Sequence, residues 1–214
     1  MRRVILIVFA AMSLNAMDVG FYTGFETAFA QKSDKTIKGV QPSDELVGDG
    51  SFVGDIRLGA HFSQITRNLD AKAYTIIYGK SSSNSEIGGG VGVEVEYRSF
   101  DLKNLGFILG LDYRYGRQDT AQNEKTISSH IIPDNRLAKG SSTIEFKDDT
   151  KVSSSSLYLG AAYHFTKNIS VDLAYVLRYE MYDVSYKEIG TGEGMNVDWS
   201  EYKHGVRLGL NFYF

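Results

Sequence analysis

The sequence predicts an all-β chain: an eight-stranded antiparallel up-and-down barrel that crosses a membrane. Three observations predict it. Apolar and polar residues alternate with period two along eight segments, and no stretch holds a helical period for three turns. The connections between those segments alternate between short and long. The polar half of the alternation carries glycine and charges of both signs, while the apolar half carries aromatic residues toward the segment ends.

Composition sets the bounds. A chain of 214 residues is one domain's worth. With no cysteine, neither a disulfide framework nor a cysteine-based zinc or redox site is possible. A formal charge of −3 argues against a nucleic-acid partner. Residues 1–16 have the layout of a secretory signal peptide: Arg2 and Arg3, then an apolar run from Val4 to Met12 too short to span a bilayer, then a small residue at Ala16. No cysteine follows the run, which excludes a lipid anchor there. The barrel domain is expected over 17–214.

The elements follow in order. In 18–31, Val19, Phe21, Phe25 and Phe29 alternate with Tyr22, Gly24, Glu26 and Ala28. In 51–63 the apolar positions are even: Phe52, Ile56, Leu58 and Phe62. In 69–80, Leu69 points to an odd-numbered outward face, although Tyr74, Ile76 and Tyr78 are even, so a longer turn at 64–68 or a bulge is expected. Segments near 89–100, 105–118, 153–166 and 169–186 continue the alternation. In 199–214, Tyr202, His204, Val206, Leu208, Leu210, Phe212 and Phe214 share one face. Most segments reach the nine to eleven or so residues that a tilted strand needs to cross a bilayer.

Three connections are short and alike: Arg67-Asn68-Leu69, Lys103-Asn104-Leu105 and Lys167-Asn168-Ile169. Asn tolerates the left-handed backbone of a tight hairpin. Four are longer, near 32–50, 81–88, 119–152 and 187–198, and hold both prolines, Pro42 and Pro133. The 119–152 connection contains its own alternating stretches, Thr126-Ile127-Ser128 and Thr143-Ile144-Glu145-Phe146, expected as a hairpin protruding above the membrane.

A soluble lipocalin-like barrel would also have eight antiparallel strands, with its apolar face inside. The polar face here favours the inverted arrangement. It carries the acids Glu26, Asp55, Glu94, Glu96, Asp112, Asp172, Glu180 and Glu201 and the bases Arg57, Arg98, Arg114, Arg178, Lys203 and Arg207. Facing lipid near the midplane, each Arg or Lys would cost about 2–4 kcal/mol; inside a barrel, acids and bases can pair. Eight glycines are expected on that same face: Gly54, Gly59, Gly92, Gly106, Gly110, Gly160, Gly205 and Gly209. Tyr97, Tyr113, Tyr115, Tyr175, Tyr179, Tyr202 and Trp199 are expected at the membrane–water boundaries.

The chain ends in Arg207-Leu208-Gly209-Leu210-Asn211-Phe212-Tyr213-Phe214. Arg207, Gly209, Phe212 and Phe214 make a polar-x-Gly-x-x-aromatic-x-aromatic pattern that resembles the insertion signal of outer-membrane barrels. With the leader, the chain resembles the small eight-stranded outer-membrane barrels that include the OmpA membrane domain, the OmpX/Ail group and the opacity proteins. The resemblance covers the mature chain in architecture and is specific only at the terminal motif. It implies a Gram-negative outer membrane, a bilayer and lipopolysaccharide around the barrel, and the barrel-assembly machinery as a partner during insertion. No room is left for a peptidoglycan-binding domain.

Chemistry-bearing motifs are sparse. His61, His130, His164 and His204 lie on different segments without metal-ligand spacing. His61 and Ser63 share a face, as the base and hydroxyl of a lipid A-modifying barrel enzyme would, but they sit in the second segment beside an expected periplasmic turn and read first as a plain polar strand end. Gly88-Gly89-Gly90 and the glycines of 190–194 lack the anchor of a phosphate loop and read as loop ends. The sequon Asn168-Ile169-Ser170 falls at an expected turn. No catalytic residue, metal or cofactor is assigned. The expected function is structural or adhesin-like, with the long loops meeting a host or surface ligand. The rival is a narrow porin-like channel, made weakly cation-selective by eight lumen acids against six bases.

Overall fold

A computed structural model describes residues 18–37, 51–66, 68–81, 86–102, 104–119, 124–128, 141–146, 150–188 and 194–214. The leader, Pro42, Pro133, His130 and Gly190 to Gly192 lie outside them.

The described residues form ten antiparallel strands: β1 (Asp18–Ile37), β2 (Ser51–Thr66), β3 (Leu69–Ser81), β4 (Glu86–Leu102), β5 (Leu105–Asp119), β6 (Glu124–Ser128), β7 (Ser141–Phe146), β8 (Thr150–Thr166), β9 (Ile169–Glu188) and β10 (Gly194–Tyr213). Eight of them, β1 to β5 and β8 to β10, pair in chain order. β10 returns to β1 through a register that runs from Tyr22↔Tyr213 to Ile37↔Trp199, which closes the barrel. β6 and β7 form the expected hairpin. β7 adds to β9 at Phe146↔Tyr186, beyond Lys151↔Asp183 where β9 leaves β8.

Burial is the reverse of a water-soluble protein. Phe21, Leu111 and Leu173 are 54%, 62% and 56% exposed, whereas Arg57, Glu94 and Asp172 are 2%, 1% and 0% exposed. An exposed apolar band around a charged interior is the pattern of a barrel solvated by lipid. Among the described residues no helix is long and apolar enough to cross a membrane, and the crossing is made by strands.

The barrel has a turn end and a loop end. At the turn end, Asn68, Asn104 and Asn168 occupy the three short turns. Each also offers its carbonyl to a strand beyond its own hairpin: Asn68 accepts from the Arg98 amide, Asn104 from His164 and Asn168 from Tyr213, all at 2.8 Å. The reciprocal pair Phe21 N–H to Phe214 O at 3.1 Å and Phe214 N–H to Phe21 O at 2.9 Å closes the ring.

Three expectations change. The strands run further at the loop end, so the connection expected over 187–198 shrinks to 189–193. Gly88 to Gly90 lie inside β4, not at a loop end. Gly88 stands opposite Tyr78 in the register, and a Cβ there would fall into the Tyr78 ring. Gly54 belongs to the outward face, because its neighbour Asp55 and then Arg57 point inward while Ile56 points out. In the second hairpin, the pair Thr66↔Leu69 joins an even to an odd position across a two-residue turn. Even-out on β2 therefore becomes odd-out on β3, and the shift between Phe62 and Thr66 leaves that parity unchanged.

Candidate functional site: the charged lumen

Period-two alternation on eight strands sends every second side chain into one narrow interior. The register then decides which charges meet. Glu26 lies opposite Asp55 across β1 and β2, and Glu94 lies between Lys72 on β3 and Asp112 on β5.

Glu26 is the hub of the middle layer. Four arginines converge on its carboxylate: Arg57 in direct contact, Arg114 at 3.1 Å, Arg207 at 3.3 Å and Arg178 at 3.5 Å. Arg57 also reaches Asp55 at 3.0 Å and Glu94 at 3.1 Å. Arg114 holds Asp112 at 2.6 Å and Asp55 at 2.8 Å. The Arg207 guanidinium lies 3.6 Å from the centre of the Tyr158 ring, a cation–π stack.

Toward the turn end, Arg98 pairs with Glu96 and donates to Tyr213 Oη at 3.1 Å and to His164 Nε2 at 2.9 Å. Tyr158 donates to Glu96 at 2.8 Å. Asp172 accepts from Asn211 at 2.6 Å and stands 3.7 Å from Arg98. Toward the loop end, Lys203 pairs with Glu180 and with Glu201 at 3.0 Å. Arg178 donates through Nε to Ser156 at 3.1 Å.

All fourteen named charges therefore sit on the inward face, and ion pairs join them. Sequence reasoning missed Lys72, which is 3% exposed and holds Glu94 at 2.6 Å. Asp70, opposite Glu96 in the register, joins the same face, so Lys72 does not by itself change the expected acid excess. The signal that finds Lys72 is hairpin parity across the turn at 67–68. Sequence reasoning also missed the large rings that fill the space left by glycine. Tyr74 lies across from Gly92 and Tyr158 across from Gly110, each ring occupying the place of the missing Cβ.

The other candidates lie elsewhere. His61 packs on Tyr213 at 4.6 Å, its Nε2 3.5 Å from Asp70, while Ser63 donates to the Asp18 carbonyl at 3.4 Å. His204 is on the lipid face, hydrogen-bonded to Tyr175 at 2.9 Å. Among the described residues no group of three or more His, Asp or Glu could hold a metal. In the terminal motif, Arg207 and Gly209 face inward; Phe212 and Phe214 face outward, Phe212 packed edge-on against Phe25 at 6.3 Å. On the outside, Tyr113, Ser155, Tyr179 and Tyr202 form one row across β5, β8, β9 and β10, above a row of Leu111, Leu157 and Leu177. The side chain of Trp199 lies outside the described residues.

Neither a protein-family profile nor a curated protein sequence matches the chain. Among solved structures it is similar to Neisserial surface protein A at 18% identity and a TM-score of 0.44, over 90% of this chain and 98% of that one. It is also similar to the outer membrane protein OprG from Pseudomonas aeruginosa, at 12% identity and a TM-score of 0.46, over 94% and 98% of the two chains. A third is a major outer membrane protein from Thermus thermophilus, at 12% identity and a TM-score of 0.45, over 92% and 99%.

Proposed function

We propose that the chain is an integral outer-membrane barrel of a Gram-negative bacterium with a closed lumen, acting as a structural or surface-interaction protein through its loops, without enzymatic activity. The observation that carries the closed lumen is the Glu26 cluster. Its arginines come from β2, β5, β9 and β10, so one carboxylate on β1 ties down side chains from around the wall. An eight-stranded interior is just wide enough for side chains to fill, and this one is filled by charges already spent on each other. The turn end then faces the periplasm and the loop end the outside. The row of tyrosines sits at the outer boundary, with lipopolysaccharide around it. Residues 1–16 direct export, and the terminal motif serves the assembly machinery. With the lumen closed and the exterior in lipid, the loops and the β6–β7 hairpin are the surfaces left for a host or surface ligand.

A narrow channel is the second reading, favoured by a cavity of about 50 Å³ at the loop end of the lumen. Planar-bilayer conductance of the refolded chain tests the choice, with insertion confirmed by the mobility difference between boiled and unboiled protein. Inserted but electrically silent protein is expected. Steady conductance steps would make it a small channel.

A further inference from the structure

We propose that the loop-end cavity of the lumen is a binding site for a small monovalent anion, a halide or the carboxylate of a short acid, held between Ser154 and Arg178. The site lies on the loop side of the Glu26 cluster, so it stands whether or not that cluster conducts.

The cavity has room for a few waters or one small anion. Three cations border it, Arg114, Arg178 and Lys203, against one acid, Glu180. Two of the cations are engaged through every nitrogen. Arg114 spends its three nitrogens on Asp112, Asp55 and Glu26, and Lys203 is taken by Glu180, Glu201 and the Tyr182 hydroxyl at 3.0 Å. Arg178 is not. Its Nε serves Ser156, but its Nη atoms stand 3.5 Å from Glu26 and 3.8 Å from Glu180, beyond ordinary hydrogen-bond length.

Ser154 supplies the second, independent observation. It is 6% exposed, it lines the cavity, and its Oγ has no hydrogen-bond partner. Buried hydroxyls are nearly always satisfied, so an orphan one beside a cavity points to something in the cavity. Register sets it beside Arg114 on one side and Glu180 on the other, one inward step from the Ser156↔Arg178 pair. A water would satisfy the serine alone. An anion satisfies the serine and the guanidinium together and also sits in the field of Arg114 and Lys203. Glu180 limits the charge to one, since a dianion would meet it at close range. A cation finds no open acid there, because Lys203 already holds Glu180. Ile76 and Val152 form a dry wall that strengthens the attraction.

Chloride NMR line broadening on the full chain, refolded in zwitterionic detergent, tests the site. Excess broadening is expected that acetate displaces. It should fall about fivefold, the worth of one hydrogen bond, in Ser154→Ala and more in Arg178→Gln. Lys151→Gln, on the exposed face at the same end, should keep it. Ser154→Ala removes only the hydroxyl, so it reads the site even if Arg178→Gln fails to fold. The heat-dependent gel shift checks folding of each variant. No excess broadening, or broadening equal in all variants, would overturn the proposal.

Discussion

The middle and the loop end of the lumen use the same residue types to different effect. Around Glu26 the acids and bases are over-connected: Glu26 has four arginine partners, and Arg57 and Arg114 have three carboxylates each. Around Arg178 the contacts lengthen, a serine is left without a partner, and a cavity opens. Burial alone does not set the difference, since Arg57 and Arg178 are both below a tenth exposed. What differs is how many carboxylates the register delivers to each guanidinium. A buried charge is tolerable only when its donors are matched, and the matching is close for Arg57 and Arg114 but looser for Arg178, while Arg207 keeps an unpartnered Nε beneath its stack on Tyr158.

Substitutions at the two layers should separate them. Glu26→Ala takes one carboxylate from four arginines at once, leaving Arg57 and Arg114 two each and Arg178 and Arg207 only distant ones, and is expected to cost about 3–5 kcal/mol, the penalty for breaking a buried pair. Urea unfolding in detergent, followed by the gel shift, checks it, and a loss under 1 kcal/mol or so would show that the hub is not central to stability. Glu180→Ala, at the loop end, leaves Lys203 with Glu201 and Tyr182 and should cost less, about 1–3 kcal/mol on the same titration. Gly110→Ala drives a methyl into the Tyr158 ring under the Arg207 stack and should cost about 1–3 kcal/mol. Gly209→Ala meets nothing nearer than Asp172 at 3.7 Å and should stay within ~0.5 kcal/mol. Equal midpoints for the two alanines would refute the packing argument. A small effect is also expected at the rim. Asn168→Ala loses the amide contact to the Tyr213 carbonyl, about 0.5–1.5 kcal/mol, with the backbone bond kept, read as a shift in the temperature of the gel transition.

Much of this is legible in the sequence, for a physical reason. A barrel one side chain wide must alternate at every position, so each strand writes its two faces into the chain. Glu26 in a run of phenylalanines or Arg207 between Val206 and Leu208 can point only one way. β3 is harder to read. Its inward face carries Lys72, Tyr74, Ile76 and Tyr78 while its outward face carries Ala73, Thr75 and Ile77, so hydrophobicity does not separate the two faces. Only the turn parity resolves it. Gly88 to Gly90 read as a loop end because glycine shows no side chain to alternate; the ring that fills the gap is ten residues away in sequence. The pairing among charges is not legible at all. Alternation says that Arg57 and Arg178 both face inward, but only the register says that Arg57 meets three carboxylates closely and Arg178 none.

The three turn asparagines have a consequence for motion. Each turn carbonyl is bonded to the first strand of the following hairpin or to the last strand, and the Phe21–Phe214 pair joins last to first. The turn end is thus a closed belt in which no hairpin is fastened only to itself. A hairpin cannot fray there without also releasing its neighbour. The amides of Arg98, His164 and Tyr213 should therefore exchange with deuterium at the rate of whole-barrel opening. The barrel is thus fastened at its base, where each turn, the last strand and the first strand share one set of bonds.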